Sequence, residues 1–141
     1  MAKKINIKLP ESNITCVATL LEDLAPKTCQ AVWDLLPFNG NALHAKWCGN
    51  EIWTRMPKLR SFEPENETIF PKPGDVFVFH VGPDMYDFAI FYGTSWCFGP
   101  TGFFPGNFFA TITENLAEFA KGCDAVLKEG TKKVIIEKLK T

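Results

Sequence analysis

The sequence predicts a mainly β fold, a closed or nearly closed antiparallel barrel capped by two helices. Three observations lead there. Short apolar runs alternate with polar residues and are parted by turn clusters, from "KINIKL" near the start to "KKVIIEKL" near the end. Two segments alone, near residues 25–36 and 114–127, carry helical spacing. The resulting order, ββαββββ(β)αβ, supplies roughly eight short strands, which a barrel accommodates without open edges. A plain α+β sandwich is the alternative arrangement of the same elements.

"KINIKL" and "ITCVATLL" flank the turn cluster "PESN" and form an opening hairpin. Asp23 and the Ala25-Pro26 step start the first helix, since proline suits a helix's first turn. Its buried stripe is Cys29, Val32, Trp33 and Leu36, and Pro37 with "FNGN" ends it. "ALHAKWC" and "EIWTRM" read as a second hairpin around Gly49-Asn50. The Pro- and charge-rich residues 57–74 make a long surface connection to the strands "DVFVFH" and "DFAIFYG". "TSWCFGPTGFFPG" is an aromatic loop and "NFFATI" a further strand. The second helix follows, with Leu116, Phe119, Ala120, Cys123, Val126 and Leu127 on one stripe. Gly122 inside it costs about 1 kcal/mol relative to alanine and predicts a kink or an early end.

Length and composition narrow the function. The 141 residues suit one domain spanning 1–141, with 46% apolar residues for its core. A net charge of −1 gives no electrostatic attraction to nucleic acid. No segment approaches the roughly 20 apolar residues that span a bilayer, and the first residues contain no signal-peptide core. Five widely spaced cysteines without a CxxC fit a reducing cytoplasm better than a disulfide framework. No spacing of His44, His80, Cys48 and Cys97 supports a metal site, and no phosphate loop or GxGxxG points to a cofactor. The expectation is a cytoplasmic protein with no metal and no cofactor.

The opening strand pair followed by "EDLAPKTCQAVWDLL" resembles the start of cyclophilins, where a Pro-x-Thr step likewise begins the first helix. The chain is more similar to a bacterial family of cyclophilin-like proteins known as a domain of unknown function. "HAKWCGNEIW", "PENETIFPKPGDV", "AIFYG" and "GNFFATI" have counterparts there in this order, so the resemblance runs from about residue 5 to residue 139. It implies a cyclophilin-like barrel without the isomerase chemistry. Proline isomerases of the family carry a Phe-His-Arg and a Gln-Gly-Gly stretch, and "LHAKWCGNEIWTRMP" has neither. Cyclophilin-like domains also occur in lactam- and urea-derivative-hydrolysing assemblies, which implies an accessory-subunit role as an alternative.

A two-residue turn at Gly49-Asn50 sets His44 opposite Arg55 and Cys48 opposite Glu51. One face then carries Leu43, Ala45, Trp47, Ile52, Thr54 and Met56, a core face. The other gathers His44, Lys46, Cys48, Glu51, Trp53 and Arg55. As a ligand pocket, Arg55 and Lys46 hold a carboxylate, Trp53 forms a stacking wall, and His44 or Glu51 acts as acid or base. Tyr92 and Asn107 stand nearby with a hydroxyl and an amide. The same residues also compose an ordinary solvated sheet face, with Lys46 over Trp53. The pocket, with His44, Trp53, Arg55, Tyr92 and Asn107 as its ligand-binding residues, predicts a small anionic or amide-containing ligand. Trp96, Phe98, Phe103, Phe104, Phe108 and Phe109 plug a barrel end, line a pocket or face another subunit, so a homo-oligomer stays open.

Overall fold

The computed structural model describes residues 2–140. The chain runs β1 (Lys4–Leu9), a 3-10 turn (Pro10–Ser12), β2 (Ile14–Leu20), α1 (Pro26–Leu35), β3 (Phe38–His44), β4 (Gly49–Met56) and β5 (Glu67–Thr68). It continues through β6 (Asp75–Gly82), β7 (Met85–Ser95), β8 (Phe98–Gly99), β9 (Gly102–Phe103), β10 (Gly106–Glu114), α2 (Leu116–Glu129) and β11 (Lys132–Lys138). Strand neighbours follow the order β2-β1-β11-β3-β4-β7-β6-β10, and pairing of β10 with β2 closes the ring. All the barrel pairs are antiparallel, so the predicted closed eight-stranded barrel is the fold. Among the described residues, no helix is long and apolar enough to cross a membrane.

Alternation explains the wall nearest the chain's start. Ile5, Ile7 and Leu9 of β1 point inward and are fully buried, with Lys4, Asn6 and Lys8 between them. Asn13 takes the left-handed turn conformation that joins β1 to β2, one that asparagine tolerates. The opposite wall does not alternate. Val76 and Val78 of β6, with Phe88 and Ile90 of β7, face the interior core. Phe77, Phe79, Ala89 and Phe91 face outward, yet they too are buried, in a second cluster with Cys97. Two straps cover them. The Cys97 N–H donates to the Ile69 carbonyl (3.0 Å) and the Phe104 N–H to the Cys97 carbonyl (2.9 Å), which ties residues 69–73 and 96–105 over the wall. Continuous runs such as "VFVF" thus mark strands covered on both faces.

Each helix closes one barrel end. α1 begins at Pro26 as expected, but no side chain of its N-cap residue Ala25 bonds to it. Glu65 does that work from a distance: its carboxylate accepts from the Thr28 N–H (2.8 Å), the Thr28 hydroxyl (2.7 Å) and the Lys27 N–H (3.1 Å). Trp33 lies at the edge of the stripe, with the Lys3 and Lys138 ammonium groups 5.1 and 4.8 Å from its ring. α2 continues through Gly122 to Glu129, so the expected early end is absent. A Cβ at Gly122 would lie 2.9 Å from Leu9 Cδ1 and 3.1 Å from Ile14 Cδ1, so glycine is there to let the helix approach the barrel. All five cysteines are buried thiols.

Candidate functional site

The predicted hairpin register is corrected first. Leu43 pairs with Trp53 and His44 with Ile52, so residues 45–51 connect the two strands and Gly49-Asn50 is not a two-residue turn. The Ala45 N–H donates to the Glu51 carbonyl (2.9 Å) at the mouth of this connection. Gly49 instead pairs with Ser95 across a bulge in the β4–β7 ladder, with φ +110°. Glycine inside a strand serves a bulge as readily as a turn. The strand before it begins at Phe38, four residues earlier than "ALHAKWC" suggests. The offset is odd, so it turns β3 over relative to β4. Leu43 and Trp47, expected in the core, are exposed.

This register separates the five expected ligand-binding residues into three places. His44 and Tyr92 face the barrel interior beneath α2. A carbonyl only accepts, so His44 Nδ1 carries the hydrogen that bonds the Ala45 oxygen (3.0 Å), and Nε2 accepts from the Tyr92 hydroxyl (2.7 Å). Burial, with Asp124 and Cys123 nearby, pushes the Tyr92 hydroxyl up to about 12. Trp53 and Arg55 lie on the outer wall. Arg55 Nε donates to Asp87 Oδ1 at 2.6 Å and its guanidinium lies over the Trp53 ring, the place expected of Lys46. Asn107 is fully buried at the α1 end of β10. Its Oδ1 accepts from the Glu65 N–H (3.1 Å), and its Nδ2 donates to Thr28 Oγ1 (3.0 Å) and the Glu63 carbonyl (2.9 Å). Asn107 therefore clamps α1 and the 63–65 segment to the barrel. No single pocket joins the five.

The outer wall carries a different cluster. Glu51 projects from β4 beneath the straps, its side chain in the company of the Cys48 thiol and Asp87, and is only 5% exposed. Its Oε1 is buried and finds no hydrogen-bond partner among the described residues, and the same holds for Ser95 Oγ. Burial pushes the Glu51 carboxyl up to about 7, the Cys48 thiol draws it partly back, and Asp87 adds repulsion. The Cys48 thiol donates to the Phe98 carbonyl at 2.8 Å and, desolvated beside Glu51, is pushed up to about 12. At neutral pH it is a neutral donor rather than a nucleophile. A Cβ at Gly49 would meet Ser95 Oγ at 3.5 Å, so that hydroxyl sits beside the backbone joining Cys48 to Glu51.

The straps bring aromatic rings to this wall. Phe104 of the strap stacks over Phe79 (5.9 Å) and Phe108 of β10 over Phe77 (5.4 Å), while Phe109 enters the barrel core. Trp96, Phe98 and Phe103 keep much of their surface exposed, so they do not plug a barrel end. Sequence reading named Glu51 as an acid or base candidate but missed Ser95 and the covering straps. The signal was present in the unalternating runs of β6 and β7, which require cover on the outer face. Two surface hollows, of about 670 and 350 Å³, lie elsewhere, lined by residues such as Lys138 and Pro37 or Lys3 and Gln30.

The architecture defines the class, a closed antiparallel eight-stranded barrel with two capping helices and one strapped outer wall. The chain belongs to a family described as protein of unknown function (DUF3830), whose model matches residues 7–137. Its resemblance to a domain of unknown function is thereby borne out, while the wider likeness to cyclophilins stays a resemblance. The structure of McbB in complex with tryptophan is similar, with a TM-score of 0.71 and 21% identity, over 94% of this chain and 44% of that one. The chain thus spans less than half the length of McbB. The solution structure of the hypothetical protein AF2241 from Archaeoglobus fulgidus is also similar, with a TM-score of 0.61 and 20% identity, over 98% of this chain and 95% of that one. At these identities both show the fold alone. No curated protein matches the sequence.

Proposed function

We propose that this protein binds a small, neutral, amide-containing molecule with an apolar or aromatic body, on the outer wall at Glu51. The observation that carries the reading is the Glu51 carboxyl, 5% exposed with Oε1 lacking a partner among the described residues. Leaving a buried polar atom unpaired costs about 1–3 kcal/mol, which a ligand donor offsets on binding. Near neutrality the carboxyl is held in both forms, so it accepts an N–H when ionised and donates to a carbonyl when protonated. An amide offers both groups. An anion fits poorly, because Arg55 is already bound to Asp87 and the ionised Glu51 carboxylate repels it. Trp53 and the strap aromatics supply the apolar surroundings typical of ligand sites. Glu51 becomes reachable when the 96–105 strap lifts. McbB, a structural neighbour, was determined with tryptophan, which makes an indole amide a reasonable probe.

Isothermal titration with N-acetyl-L-tryptophanamide and with indole-3-acetate tests this. The amide is expected to bind and the anion to bind more weakly. Glu51→Leu, which keeps the wall packed but removes the carboxyl, is expected to weaken the amide roughly tenfold or more. Equal affinity in the variant, or preference for the anion, rejects the reading.

A further inference from the structure

We infer that the outward face of the 96–105 strap is a self-association surface through which two copies of this chain form a two-fold dimer. The inference stands apart from the ligand reading, since it uses the side of the strap turned away from Glu51. Six aromatic side chains make the surface: Trp47, Phe70, Trp96, Phe98, Phe103 and Phe104, each between 38% and 66% exposed. Backbone bonds and one ring pair gather the segments that carry them. The Trp96 N–H bonds the Cys48 carbonyl (3.0 Å) and the Cys97 N–H bonds the Ile69 carbonyl (3.0 Å), which brings Trp47 and Phe70 to the strap. The Phe98 and Phe103 rings meet edge to face across the β8–β9 ribbon, 5.2 Å apart.

The size of the patch and the strap's lack of charge point to the occupant. Six aromatic side chains of about 150–250 Å² each, half exposed, present roughly 600 Å² of apolar surface. That is at the upper end of what a monomer exposes as one patch. It is also most of the ~800 Å² that each partner contributes to a stable interface. No charged residue occurs between Thr94 and Thr113, so the strap offers neither sign to an acidic or basic partner. A partner must present an equally uncharged aromatic face, and a second copy presents this one. A two-fold axis through the ribbon sets the patch against itself.

Sedimentation of the full chain from low-micromolar to near-millimolar concentration tests the dimer, with variants at exposed positions. The wild type is expected to sediment at twice the 15.8 kDa chain mass. The double variant Trp96→Ser with Phe103→Ser is expected to weaken the dimer roughly tenfold or more, as aromatic hot spots do. Its unfolding should stay cooperative, because both side chains are more than half exposed. Leu127→Ser, at an equally exposed apolar position on α2, should leave association unchanged. A wild type that stays monomeric at near-millimolar concentration overturns the inference. So does a double variant as dimeric as the wild type, or a dimer dissociated by Leu127→Ser.

Discussion

Glu51 is a carboxyl whose neutral form the folded protein prefers, and that preference has a measurable sign. Its pKa lies at about 7 in the folded chain against an ordinary value of 4.5. Below 4.5 both states hold the proton and burial of the carboxyl costs nothing extra. Between these values the unfolded chain ionises first, so stability falls as pH rises, and above about 7 the loss levels off. The full loss is on the order of 3 kcal/mol. Glu51→Gln, neutral at every pH, is therefore expected to match the wild type near pH 4 and exceed it by about 2–3 kcal/mol near pH 8. Urea denaturation at several pH values checks this, and parallel pH profiles for the two proteins contradict it. The identity of this residue was legible in "GNEIW", but its burial was not. Nothing local to Glu51 announces a cover contributed by residues 69–73 and 96–105. Asn107 shows the same limit, because its three hydrogen bonds are made with residues 28, 63 and 65.

At the scale of elements, helices and strands were legible because each imposes its own apolar period, and register was not. The two helices lie within two residues of their expected bounds. The β3–β4 pairing was misjudged because Gly49-Asn50 satisfies a turn and a bulge equally well, and Gly49 pairs with Ser95 on β7 across a bulge. One odd shift then dispersed the expected pocket, sending His44 inward and leaving Arg55 outside. Gly122 carries a prediction of its own. Alanine inside an exposed helix would gain about 1 kcal/mol over glycine. Here the added methyl would push against Leu9 and Ile14, which are themselves packed into the barrel. Gly122→Ala is expected to destabilise by about 1–2 kcal/mol instead, as overpacking does. A thermal melt that shows a gain in stability would mean that α2 shifts outward at no cost.

The whole molecule assigns its two faces of sheet different tasks. The barrel interior is packed with side chains from all eight strands and sealed by a helix at each end, which leaves His44 and Tyr92 as a hydrogen-bonded pair within the packing. The outer face of β4, β6 and β7 is covered instead by straps, and that cover is what buries Glu51. A strap without a helix or a wide sheet of its own opens at lower cost than the barrel. The central claim is that ligand binds under the strap and not inside the barrel. Amide hydrogen exchange in saturating N-acetyl-L-tryptophanamide separates the two sites in one measurement. The account predicts slowed exchange in residues 47–53 and 94–105, with β3 and α2 unchanged. Slowing confined to residues 41–44 and 116–129 would place the ligand at His44 and Tyr92 and contradict it.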